Sequence, residues 1–157
     1  MNQCTKCKVD TAPAIEVSYY KVMNLDQCTT DCPPGYYEEN TGLICAPCHE
    51  SCLTCDTSAT DCTSCGSSAD VVYFLHIDAF CYETCPERFY GEIVNGSTNL
   101  CSDCDVKCQI CSGPSHDECM SCRTEKNITY FLEYGTNSCV VDCPDGQYSD
   151  AALHLCR

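Results

Sequence analysis

The chain of 157 residues carries 21 cysteines, four phenylalanines and no tryptophan, with 23 acidic against 8 basic residues for a formal net charge of -15. Cysteine at this share marks a disulfide scaffold or a metal-rich protein, and because cysteines swell the 44% hydrophobic content they argue against a large apolar core. So acidic a chain repels phosphate backbones and anionic lipid, which sets nucleic acid aside as a partner, and its most apolar stretch, VVYFLHIDAF at residues 71–80, is too short to span a membrane.

The N-terminal MNQCTKCKVD has no apolar signal-like run. It aligns with HDECMSC at residues 116–122, so Met1 falls inside a repeating unit and the chain is expected to be a segment of a longer repeat protein. Cys4, Cys7, Cys28 and Cys32 supply the second half of that first unit. A whole unit follows in Cys45, Cys48, Cys52, Cys55, Cys62, Cys65, Cys81 and Cys85. It recurs as Cys101, Cys104, Cys108, Cys111, Cys119, Cys122, Cys139 and Cys143, offset by 56 to 58 residues, and Cys156 opens another.

The residues between the cysteines keep the same frame. Each C-x3-C pair is followed by proline and soon an aromatic, as CPPGYY at 32–37, CPERFY at 85–90 and CPDGQY at 143–148. Proline and a nearby glycine turn the chain, and the aromatic opens a short extended segment. Each long gap carries an aromatic step with an apolar residue behind it: Tyr19, Tyr20 and Val22; Tyr73, Phe74 and Leu75; Tyr130, Phe131 and Leu132. YFLEYGTNSCVV, residues 130–141, predicts a hairpin around Gly135 and Asn137. The expected fold is small, disulfide-rich and built of short two-stranded β-hairpins with almost no helix. Its domains are a partial repeat over 1–47 and whole repeats over 48–103 and 104–157.

Several chemistries compete for these residues. Cys45, Cys48, Cys62 and Cys65, and likewise Cys101, Cys104, Cys119 and Cys122, have spacings close to a zinc ribbon, but such sites would strand the remaining cysteines and add negative charge. Redox work by a C-x2-C pair needs a thiol activated at a helix N-terminus, and no helix is readable after any pair. His49, His76, His116 and His154 share no template position, and no Ser, His and Asp set stands out, so neither an enzyme nor a cofactor is expected. Asp103 and Asp105 lack the regular spacing of a calcium loop. Asn95-Gly-Ser97 and Asn127-Ile-Thr129 match the N-glycosylation acceptor, and N-linked glycans are expected at both.

The order C-x2-C-x3-C-x2-C-x6,7-C-x2-C, a hairpin gap, then C-x3-C-P and an aromatic resembles the furin-like cysteine-rich repeat. That repeat occurs in growth-factor receptors, in the tails of some proprotein convertases, in R-spondins and in long protist and ciliate surface proteins. The resemblance covers residues 4 to 156 and implies tandem modules stacked in an elongated rod. It also implies a pairing that sequence alone leaves open: Cys7 with Cys28, Cys32 with Cys45, Cys48 with Cys55, Cys52 with Cys62, Cys65 with Cys81 and Cys85 with Cys101. The remaining bridges would join Cys104 to Cys111, Cys108 to Cys119, Cys122 to Cys139 and Cys143 to Cys156, leaving Cys4 unpaired within this chain.

The function implied is a structural or adhesive segment at a cell surface or in an extracellular assembly, with protein neighbours, self-assembly or a larger complex as partners. A ligand-binding receptor module is the alternative. However, the gaps DTSATD at 56–61 and SGPSHDE at 112–118 lack the phenylalanines of the R-spondin receptor clamp. A cytosolic zinc protein is the third reading. Tyr73, Phe74, Tyr130 and Phe131 serve either as contact residues or, more economically, as packing inside their own module.

Overall fold

The computed structural model describes residues 7, 10–12, 15–17, 19–25, 27–67, 70–94 and 98–157. Among them there is no helix, and short strands alternate with tight turns. The chain divides into two compact units, Met1–Cys81 and Tyr82–Arg157.

The first unit contains β1 (Asp10–Ala12), β2 (Ile15–Val17), β3 (Tyr20–Val22), β4 (Cys28–Thr29), β5 (Tyr36–Glu39), β6 (Ile44–Pro47), β7 (Cys52–Cys55), β8 (Cys62–Cys65) and β9 (Phe74–Leu75), with β10 (Cys81–Tyr82) at its end. The second holds β11 (Phe89–Val94), β12 (Thr98–Asp103), β13 (Cys108–Cys111), β14 (Cys119–Cys122), β15 (Thr124–Glu125), β16 (Ile128–Thr129), β17 (Phe131–Glu133), β18 (Ser138–Val140), β19 (Ser149–Asp150) and β20 (Leu155–Cys156).

The hairpins do not all remain isolated pairs. In the first unit β4, β3, β6 and β5 form a four-stranded sheet in that order, and β18, β17, β20 and β19 repeat the order in the second. Two antiparallel hairpins are joined there by a short parallel ladder, Lys21 facing Ile44 and Val22 facing Cys45, matched by Leu132 facing Leu155 and Glu133 facing Cys156. Parallel neighbours need a crossover of a dozen or more residues. The C-x3-C-P turn and the strand after it supply that length, while the Cys32–Cys45 and Cys143–Cys156 bridges tie the returning strand to the turn.

That turn is built alike three times. Tyr36, Phe89 and Gln147 donate their N–H to the carbonyls of Pro33, Pro86 and Pro144. The third turn position is left-handed in each, with φ of 86° at Gly35, 73° at Arg88 and 89° at Gly146. This is the type II pattern, which favours glycine at that place. The carbonyls of Gly35 and Arg88 then accept the N–H of Cys48 and Cys104, both at 2.8 Å, so the turn seats the next group of cysteines. Arg88 carries the steric cost of a Cβ in this region. Arg88→Gly is expected to raise stability by about 1 kcal/mol, and Gly35→Ala to lower it by about 1 kcal/mol, both read from urea midpoints.

Where the core sits follows from the composition. Ten of the thirteen buried apolar residues among those described are half-cystines, the others being Tyr20, Val22 and Ala46. In the first unit Tyr20, Val22 and Cys45 form a buried cluster with Cys32, Tyr36 and Leu43 against it. In the second, Cys108, Cys111, Cys119, Cys122 and Cys139 form one, covered by Tyr90, Cys104, Tyr130 and Leu132.

Candidate functional site

The cysteine-dense stretches fold into two hairpins of the same register. Cys52 faces Cys65, Thr54 faces Ser64 and Cys55 faces Cys62; in the second unit Cys108 faces Cys122, Ile110 faces Ser121 and Cys111 faces Cys119, with irregularities at the same places. The hairpin loops close by N–H donation from Asp56 to Asp61 and from Ser112 to Glu118, both at 3.0 Å. Cys62 and Cys119 donate to the carbonyls of Ala79 and Asn137, two further left-handed residues, which couples each knot to the end of its long-gap hairpin.

The structure bonds Cys7 to Cys28, Cys32 to Cys45, Cys48 to Cys55, Cys52 to Cys62 and Cys65 to Cys81. It also bonds Cys85 to Cys101, Cys104 to Cys111, Cys108 to Cys119, Cys122 to Cys139 and Cys143 to Cys156. Their Cα atoms lie 5.2 to 5.8 Å apart, within the range such bonds require. Cys4 and Asn95 lie outside the described residues.

These bonds bear directly on metal chemistry. Zinc takes thiolates. Cys45, Cys48, Cys62 and Cys65 belong to four separate bridges, as do Cys101, Cys104, Cys119 and Cys122. The sulfurs of Cys52, Cys62 and Cys81 do come within 4.8 Å of one another. They do so because the Cys52–Cys62 and Cys65–Cys81 bridges abut, and a bonded sulfur has no thiolate to offer.

Of the other candidates, Asp105, His49, His76 and His154 are engaged in local structure, while Asp103 and His116 are exposed. The Asp105 carboxylate accepts the Lys107 N–H at 3.0 Å and closes a turn. His49 Nδ1 meets Ser51 Oγ at 2.8 Å, His76 Nδ1 meets Asp78 Oδ1 at 2.9 Å, and His154 lies against the Phe131 ring. Asn127 stands exposed in the turn between β15 and β16.

Of the four aromatics weighed as contact residues, Tyr130 packs on the cysteine core, and Tyr73, Phe74 and Phe131 are half-buried. The side chains that protrude are others: Tyr134 is 91% exposed, Ile77 85% and Val106 70%. Periodicity could not find them, since a cysteine-centred core leaves most intervening positions free to point outward. A comparison of the two units position by position is the signal that does single out Ile110 and Met120, where the first unit has Thr54 and Thr63.

No helix among the described residues is long and apolar enough to cross a membrane. Disulfides in this number form and persist in oxidising compartments, and the chain is an extracellular cysteine-rich module.

No family model matches the chain. It is 31% identical over 147 residues to Furin-like protease 2 of Drosophila melanogaster, covering 94% of this chain and 8% of that protein. It is 36% identical over 126 residues to the extracellular matrix organizing protein FRAS1 of Homo sapiens, 80% of this chain and 3% of that protein. Cysteine repeat modular protein 2 of Tetrahymena thermophila is 30% identical over 153 residues, 92% of this chain and 7% of that protein. The chain therefore spans only a small part of each relative. What the relatives share with it is the furin-like cysteine-rich repeat, and the chain belongs to that family.

Proposed function

We propose that the chain is a structural or adhesive segment of a longer extracellular protein, working at a cell surface or within an extracellular assembly. The observation that carries this reading is the locality of the cross-links, whose sequence separations run from 7 to 21 residues. Each repeat holds its shape through its own bridges, so the side chains between cysteines are left for contact with protein neighbours. Leu53, Val106 and Tyr134, all more than half exposed, are such side chains. A relative that organises extracellular matrix supports an assembly role. We take residues 48–103 and 104–157 as whole repeats and 1–47 as a partial one, with N-linked glycans at Asn95 and Asn127.

The decisive experiment is cross-linking of the native extracellular assembly followed by identification of neighbours. Contacts repeated at matching positions of successive repeats are expected, and a single soluble ligand held at one repeat would replace the scaffold reading with a receptor one. Two cheaper measurements test what underlies it. Reduction should add about 20 mass units to the intact protein, two for each bridge. Secreted protein should also lose one glycan in the Asn127→Gln variant, and an unchanged glycan count would remove that site.

A further inference from the structure

The turn after each C-P pair and the hairpin of the next knot flank a groove, and the two units line it differently. In the first unit Asp31, Tyr37, Glu38, Asn40, Asp56 and Thr57 contribute to it, leaving it largely polar. In the second, Pro86, Glu87, Phe89, Tyr90, Ile110 and Met120 line about 460 Å³ of mainly apolar space. The linings differ at several matched positions, Thr84, Gly91 and Ser112 standing where the first unit has Asp31, Glu38 and Asp56, and the knot hairpin differs as well. Ile110 holds the register position of Thr54, and Met120 follows Cys119 as Thr63 follows Cys62. The Thr54 and Thr63 hydroxyls bond to each other at 2.7 Å, so threonine at both places is sufficient to build the hairpin. Ile110, 43% exposed, and Met120, 64% exposed, are therefore not required by the fold. Grouped apolar side chains left in water mark interaction sites.

We propose that this groove in the second unit docks a protein partner that lays down an extended segment with an aliphatic side chain next to lysine or arginine. Phe89, Tyr90, Ile110 and Met120 provide the apolar floor. Glu87 lines the groove and accepts a hydrogen bond from the Gln109 side chain, which holds its carboxylate in place. Burial raises the Tyr90 phenol pKa, and the charges of Glu92 and Glu118 raise it further, so two more carboxylates act on the same floor. Among the described residues, no lysine or arginine lines the groove. A second copy of this chain would bring the same carboxylates and another net charge of -15 to the contact. Like charges juxtaposed at an interface disfavour association. Anionic lipid meets the same repulsion, and a basic protein segment removes it.

The inference rests on the reading of the chain as a protein-contacting module, but its test is separate from the cross-linking experiment. A fluorescein-labelled nonapeptide of alternating lysine and leucine serves as probe, with alternating lysine–serine and glutamate–leucine peptides beside it, measured by fluorescence anisotropy at about 0.15 M salt. Only the lysine–leucine peptide should bind. The I110T/M120T double variant carries the residues of the first unit and should retain all its bridges by intact mass. It should weaken binding about tenfold or more, while E87Q should weaken it less and flatten its salt dependence.

Equal binding of the lysine–serine peptide, full binding by I110T/M120T, or no binding of the lysine–leucine peptide each overturns the proposal. So does sedimentation showing a dimer that I110T/M120T dissolves, which would give the groove to a second copy. Any of these leaves the scaffold reading standing on its own test.

Discussion

Removing the Cys108–Cys119 bridge with paired alanines is expected to cost more stability than removing Cys7–Cys28 in the same way, although it closes the shorter loop. The bridges span 11 and 21 residues. In the chain-entropy account each is worth about 3 kcal/mol, with the longer loop slightly ahead. Burial reverses the order. Cys108 is fully buried and Cys119 is 3% exposed, at the centre of the second unit's core, whereas Cys28 is exposed. Deleting two sulfurs there leaves a cavity among Cys111, Cys122 and Cys139, adding about 1 to 2 kcal/mol. The expected losses are about 4 to 5 kcal/mol for C108A/C119A and about 3 kcal/mol for C7A/C28A, from urea unfolding of otherwise oxidised protein. The reverse order would mean that loop entropy alone governs these bridges and that the buried sulfur is not acting as a core.

That the sulfurs are the core explains which parts of the fold were legible in the sequence. Cysteine spacing, the C-P-aromatic punctuation and the aromatic step in each long gap are local signals, and they suffice for a disulfide-rich fold of short hairpins. The hairpin over residues 130–141 was readable for the same reason. Gly135 and Asn137 both adopt positive φ, at 101° and 52°, in the turn joining β17 and β18.

The parallel ladders of β3 with β6 and β17 with β20 were not readable, because strands of two to four residues carry no pattern that distinguishes a lone hairpin from half of a sheet. Left-handed Arg88 and Ala79 were equally hidden, since neither residue type announces a positive φ. Nor could pattern reading separate packed aromatics from protruding ones. Tyr130 and Tyr134 lie four residues apart, yet one covers the cysteine cluster and the other is 91% exposed.

Tyr20→Ala should be the most damaging single substitution among the described non-cysteine residues of the first unit, at about 3 kcal/mol. Tyr20 and Val22 alternate along β3 and point the same way, into a cluster completed by Cys45, which is fully buried. With so few apolar side chains beside the sulfurs, one aromatic ring supplies much of the carbon surface removed from water. Tyr19 is half-buried, so Tyr19→Ala should cost less than about 1 kcal/mol, and equal losses at the two positions would refute the assignment of the buried face.

Tyr20→Phe separates ring from hydroxyl. The hydroxyl donates to Asn40 Oδ1 at 2.8 Å, so its removal should cost about 1 kcal/mol at neutral pH. Glu38 is the alternative acceptor for the same proton, and hydrogen bonding to it raises the phenol's pKa above its ordinary value of 10.0, with burial and the Glu38 charge adding to it. A raised pKa favours the protonated phenol in the folded chain. Its contribution is therefore fully present below the ordinary phenol value and is lost as pH rises through the raised one. Wild-type stability should thus fall across that alkaline window more steeply than that of Tyr20→Phe, and parallel profiles would show that the Tyr20 phenol titrates as freely as in the unfolded chain.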